Sequence, residues 1–158
     1  AANPEPVLTT YVPISEDEIQ AALTAMAATS GLTIGNQVQT TISITVGGTG
    51  AYIYYDEWED GFEADISNPV QPSTQIWGDG ITSNGTPPGI ASDLLNAGDV
   101  IVLDNGGPIT TPRSASVQRY DGRDKVASNR GFALTRAGWE TAYGSFTPEP
   151  SRRTSAIW

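Results

Sequence analysis

Residues 38–46 alternate strictly. Val38, Thr40, Ile42, Ile44 and Val46 fall on one face, and Gln39, Thr41, Ser43 and Thr45 on the other. That period of two predicts a half-buried strand. Gly47-Gly48-Thr49-Gly50 reads as a loop of residues that tolerate positive φ. A second strand over 51–56 follows at once, so the two are expected to form a hairpin. Further strands are expected at 74–77, 100–103, 116–120 and 131–135, separated by turns rich in Gly, Pro, Asn and Asp. Residues 91–96 read as one helical turn.

One stretch has helical period. Ile19, Ala22, Leu23, Met26 and Ala27 recur at i, i+3, i+4, i+7 and i+8, the pattern of a single buried face. Ser15 with Glu18 forms a capping box, Glu16 and Asp17 favour the first turn, and Gly31 is a natural stop. A helix is therefore predicted over 15–30. Before it, Pro4, Pro6 and Pro13 exclude regular helix, and residues 1–14 read as an extended arm with a β-prone segment at 7–12. Thr147-Pro148-Glu149-Pro150 frames a similar tail over 148–158. The fold class is mainly β: an antiparallel sandwich of immunoglobulin or jelly-roll type over 15–147, with one amphipathic helix and two extended tails.

Composition narrows the chemistry. The 158-residue chain fits one domain and has no Cys and no His. Disulfides, Cys/His zinc sites, thiol nucleophiles and His-based triads are excluded, which leaves hard cations on oxygen ligands. No apolar run reaches the ~18 residues of a membrane span. Ala1-Ala2-Asn3 suits a terminus left by small-residue cleavage, and usage rich in Thr, Ser, Gly, Asn and Pro suits secretion. Charge is strongly divided. Residues 1–112 carry 14 acids and no base, whereas 113–158 carry all eight bases against four acids. The net charge of −10 argues against nucleic acid and anionic membranes. The split predicts that Arg119, Arg123 and Arg136 meet acids from the N-terminal part, and that complementary charge helps one subunit find another.

Six of the ten residues at 56–65 are carboxylates: Asp56, Glu57, Glu59, Asp60, Glu63 and Asp65. With Gly61 allowing a sharp turn, they form a candidate Ca²⁺ loop. It is not an EF-hand, since Trp58 and Ser67 stand where that motif needs Asp/Asn and Glu. The bland alternative is a solvated acidic loop. Asp79 and the Asp121/Asp124 pair are weaker ligand candidates. Tyr52, Tyr54, Tyr55, Trp58, Trp77 and Trp139 are either a sugar-stacking platform or, as is commoner for large aromatics, core and interface. A glycosidase pair from Glu57/Glu59 or Asp60/Glu63 is the weakest reading, so no catalytic residue is assigned.

The blocks Tyr54-Tyr55-Asp56-Glu57-Trp58-Glu59-Asp60-Gly61, Gln75-Ile76-Trp77-Gly78-Asp79-Gly80, Pro87-Pro88-Gly89, Leu95-Asn96-Ala97-Gly98-Asp99-Val100-Ile101, Tyr120-Asp121-Gly122-Arg123-Asp124 and Thr135-Arg136-Ala137-Gly138-Trp139 carry a resemblance. Together they resemble the N-terminal β-rich region of large, uncharacterised, secreted bacterial surface proteins, which immunoglobulin-like repeats often follow. The resemblance covers roughly residues 8–139 and implies an extracellular, structural or adhesive role. More strands are expected after Trp139 than the chain holds, which would leave a sheet short of a strand.

The sequence thus predicts a non-enzymatic extracellular or cell-surface protein that polymerises with copies of itself into a filament, sheath or matrix. Terminal strand exchange is the expected mode, through Val7, Leu8, Tyr11 and Val12 or through Ile157 and Trp158. The alternative is a Ca²⁺-dependent module that binds surface polysaccharide or mediates adhesion. Neither reading involves nucleic acid or membrane insertion.

Overall fold

The computed structural model describes residues 2–12, 16–31, 38–105, 116–140 and 156–157. Eight strands, one α-helix and one short 3-10 helix (Thr82–Asn84) are found among them: β1 (Leu8–Tyr11), α1 (Glu16–Thr29), β2 (Val38–Val46), β3 (Ile53–Asp56), β4 (Gln75–Trp77), β5 (Val100–Asn105), β6 (Lys125–Ser128), β7 (Phe132–Glu140) and β8 (Ala156–Ile157). They form two antiparallel sheets of order β1-β6-β3-β4 and β5-β2-β7-β8. The protein is mainly β, and the two sheets face each other across one core. Ile42, Ile44, Val46, Ile101 and Leu103 from the second sheet meet Ile53, Tyr55, Trp77 and Val126 from the first.

The expected hairpin of β2 and β3 does not form. The glycine loop carries the chain from one sheet to the other, and β3 pairs with β4 and β6 instead. All four β3 residues are buried, because both faces of this sheet are covered. Tyr55 faces the inter-sheet core, while Tyr54 packs with Ile66, Ile76 and Ala127 on the opposite side. The Tyr54 hydroxyl donates to the Pro4 carbonyl at 2.5 Å. The chain from β3 to β4 therefore folds back over its own sheet as a second layer.

The helix runs over the expected residues but buries less. Ile19 and Ala27 are buried and Leu23 is half-buried, whereas Ala22 is exposed and Met26 is 67% exposed. The helix leans on β2 along the i, i+4, i+8 line alone, so the i+3 and i+7 positions stay in water. Ser15 lies outside the described residues. Gly31 ends the helix at φ 68°.

Residues 91–96 are not helical. Asp93 adopts φ 47°, and its carboxylate accepts from the N–H groups of Gly78 (2.8 Å) and Gly80 (3.0 Å). That staple fixes the turn after β4. Gly78 itself has φ 95°, and a Cβ there would run into the Ala51 carbonyl oxygen and the Leu95 side chain. Gly78→Ala is expected to cost about 2–4 kcal/mol, since strain at positive φ adds to a backbone collision. Chemical denaturation measures it, and a loss below about 0.5 kcal/mol would show that the turn relaxes.

Candidate functional site

The acidic connection between β3 and β4 is the chain's most polarised region, and the structure divides its carboxylates into two groups. Asp56, Asp60, Glu63 and Asp65 organise the loop itself. Asp56 accepts from the Glu63 N–H (3.0 Å) and the Thr74 hydroxyl (3.3 Å). Glu63 accepts from the N–H groups of Val70 (2.7 Å) and Gln71 (2.5 Å) and from the Thr74 hydroxyl. Asp60 accepts from the Ser73 hydroxyl (2.6 Å) and N–H. Asp65 accepts from the Ser67 hydroxyl (2.6 Å) and the Asn68 amide (2.8 Å), and these bonds hold it below the usual carboxylate range. Such a loop needs many fixed acceptors because it runs for 18 residues without a strand partner.

The cation of this group is the chain's single lysine. Lys125 sits opposite Asp56 in the β3–β6 register, with Nζ 2.7 Å from Oδ2 and both side chains buried. Its ammonium also donates to the Glu63 carbonyl at 3.2 Å and lies 5.0 Å from the centre of the Phe62 ring. Sequence reading missed β6 and this pair. A lone Lys beside Val-Ala-Ser carries no alternating pattern, and only the register shows its partner.

Glu57 and Glu59 act elsewhere, their charges reaching Asp124. Asp124 is a buried hub. It accepts from the Tyr55 hydroxyl (2.7 Å), from the Trp58 N–H (3.4 Å) and from the Asp121 N–H (3.3 Å). Burial pushes its carboxyl well above the usual range, and the charges of Glu57 and Glu59 add to that. Glu57 is only 1% exposed; its Oε1 accepts from the Arg119 N–H at 2.7 Å. Its Oε2 is enclosed and meets no hydrogen-bond donor among the described residues. Burial, with repulsion from Glu59 and Asp60, raises Glu57 to about 8. Above this group Arg123 adopts φ 78°, stacks 4.7 Å over Trp58 and pairs with Glu18 of α1. Among the described residues, no three acids already stand together at metal-ligand spacing.

Tyr54, Tyr55 and Trp77 are fully buried, so they are core and not part of a sugar platform. Tyr55 stacks on Trp77 at 5.3 Å and meets Tyr120 edge-on at 5.3 Å. Tyr52 and Trp58 are half-buried, and nothing is described for the Trp139 side chain. Of the predicted ion-pairing residues, Arg123 meets Glu18; Arg119 offers its backbone to Glu57. Arg136 is buried on the inner face of β7, opposite Ile42. Asp79 accepts from the Ile81 N–H and the Asn84 amide, which fixes a local turn. Residues 116–120 are irregular, held by side chains such as Gln118 on Gln75 rather than by a ladder.

The sheet edges are the second candidate. β1 closes the first sheet by pairing with β6 of its own chain, and Val12 is a buried core residue. Leu8 and Tyr11 remain exposed on it, as does Val7 just before it. At the edge of the second sheet, β5 exposes Val100 (50%) and Val102 (48%) while Ile101 and Leu103 point inward. β8 pairs with β7, Ala137 opposite Ile157; Trp158 lies outside the described residues. Among the described helices, none is long and apolar enough to cross a membrane. Comparison with known protein families, with curated proteins and with solved structures finds no match in any of the three.

Proposed function

We propose that this protein is a non-enzymatic, extracellular structural subunit that associates with copies of itself through its sheet edges. The observation that carries the reading is β5: an edge strand among the described residues with β-branched Val100 and Val102 outward, no Pro, Lys or Arg, and Asp104 as its one charge. Such an edge is a template for another chain's strand. β1, on the other sheet, is its natural counterpart, since Leu8-Thr9-Thr10-Tyr11 is uncharged and partly apolar. On a chain of net charge −10, β1 is uncharged and β5 carries the single acid Asp104, so these edges are where like-charged copies approach with least repulsion. A contact of β5 with β1 is heterologous and does not close, so it builds a filament.

This mode differs from exchange of the tails. Both tail strands pair within their own chain, so edge addition needs no rearrangement, whereas exchange would transfer the same β1–β6 contacts to a neighbour. Sedimentation of two edge variants separates the possibilities. Val102→Lys and Leu8→Lys should each stay monomeric alone. Mixed in equal amounts they should form dimers that grow no further, because each retains one intact edge. Dimers of Leu8→Lys alone would mean that β5 pairs with itself. Filaments that persist in both variants but vanish on deleting residues 1–12 would favour exchange.

A further inference from the structure

We propose that Lys125 and Asp56 condense into an isopeptide bond, a covalent cross-link between β6 and β3 that forms within the folded chain. Three observations lead there. Lys125 is the single lysine of the chain, and it sits in a buried site: it is 8% exposed, and Asp56 is not exposed at all. A lysine ordinarily keeps its ammonium in water. The two residues are direct partners in the β3–β6 register, with Nζ 2.7 Å from Oδ2, so the carboxyl carbon is only one bond further from the nitrogen. Finally, the loop holds both reactants. The Glu63 carbonyl accepts from Nζ at 3.2 Å, the Glu63 N–H donates to Oδ2 at 3.0 Å, and the Thr74 hydroxyl donates to Oδ1 at 3.3 Å. Nζ also lies over the Phe62 ring, 5.0 Å from its centre.

The step is redox-neutral and needs no co-reactant. A freshly folded chain holds the ammonium–carboxylate pair, and the amide forms afterwards. One proton crosses from Nζ to Oδ2, which leaves a neutral amine facing a neutral acid. Away from water, burying that neutral pair costs less than burying two charges. The nitrogen lone pair then attacks Cγ of Asp56, and charge develops on Oδ1, where the Thr74 hydroxyl donates. A second proton passes from the nitrogen to the Oδ2 hydroxyl, the Cγ–Oδ2 bond breaks, and one water leaves. The new C–N bond completes the amide, with Oδ1 as its carbonyl oxygen. Free amines and acids condense poorly in water, but reactants held in contact gain effective concentrations of about 10⁵–10⁸ M. The product suits this chain. Without Cys it has no disulfide to staple its sheets. The amide joins residues 69 positions apart (125 − 56) and ties together the two central strands of the first sheet. It lies within one subunit, so it forms whether or not subunits assemble.

The test is the mass of the intact 158-residue chain, kept folded overnight at neutral pH and then measured in denaturing solvent, where an ion pair falls apart and an amide survives. A loss of one water, about 18 Da below the mass of the sequence, is expected. Lys125→Arg keeps a cation beside Asp56, but the guanidinium stays protonated and does not attack. Asp56→Ala has no carboxyl. Both variants should keep their full mass. Trypsin then locates the bond. It does not cut after an amidated Lys125, so residues 124–130 remain joined to residues 1–113, which hold no Lys or Arg before Arg113. Full mass in the unsubstituted protein overturns the proposal and leaves the pair ionic. So does a loss of water that persists in Lys125→Arg, which puts the dehydration elsewhere, as at the Asp60-Gly61, Asp79-Gly80 or Asp121-Gly122 steps. The tryptic map uses the unsubstituted chain, so it decides even if both variants fail to fold: separate fragments 124–125 and 126–130 in full yield overturn the proposal.

Discussion

Lys125→Met is expected to destabilise the protein by about 3–5 kcal/mol. The substitution keeps most of the volume but removes the ammonium from a buried ion pair. Asp56 is then left fully buried, with only the Glu63 N–H and the Thr74 hydroxyl to solvate it. Two further contacts go with the charge, those to the Glu63 carbonyl and to the Phe62 ring. The damage therefore spreads from the β3–β6 ladder into the loop. Against a typical total of about 5–15 kcal/mol, that loss is a large share. The double variant Asp56→Asn with Lys125→Met removes both charges and should recover much of the stability. Urea unfolding of the three variants measures this. A single-variant loss below about 1 kcal/mol, the range of exposed pairs, would mean that the pair is solvated.

The second large effect is a stability that falls as pH rises. Glu57 titrates near 4.5 when unfolded and near 8 when folded, so the folded state holds the proton more tightly. Its contribution is complete below pH 4.5 and is lost progressively up to pH 8. Asp124 is shifted in the same direction by burial and by the same neighbours. The slope approaches about 1.4 kcal/mol per pH unit for each group over the interval between its two pKa values. Asp65 acts oppositely at the acid end, since its lowered value makes its contribution vanish as pH falls through it. Stability should thus peak in mildly acidic solution. Glu57→Gln should flatten the decline toward pH 8, because Gln has no proton to lose. Melting temperatures from pH 4 to 9 that rise monotonically would contradict the assignment.

Much of the fold was readable in residues with a clear period. β2 declared itself by alternation, α1 by its helical stripe, and the sandwich class by short strands between dense turns. Reading stopped where burial comes from the second layer. β3 is buried on both faces, so its pattern could not say which sheet it joins. β6 has a Lys where a core strand normally has an apolar residue, and only Asp56 across the ladder explains it. The acidic loop was recognised as one group of six. Its division in two depends on Asp124, which is 59 residues beyond the last loop acid and is placed by the turn at Arg123. Local spacing holds no trace of that meeting. The helical stripe was read too generously, because periodicity marks which residues share a face but not how much of the face is covered.

Negative-stain microscopy of the intact chain at rising concentration, beside Val102→Lys, tests the central claim most directly. The account predicts filaments of one subunit's width in the unsubstituted protein, growing with concentration and with salt that screens the net charge of −10. It predicts isolated particles for Val102→Lys at every concentration. Isolated particles for both proteins, or filaments for both, would contradict assembly through the β5 edge.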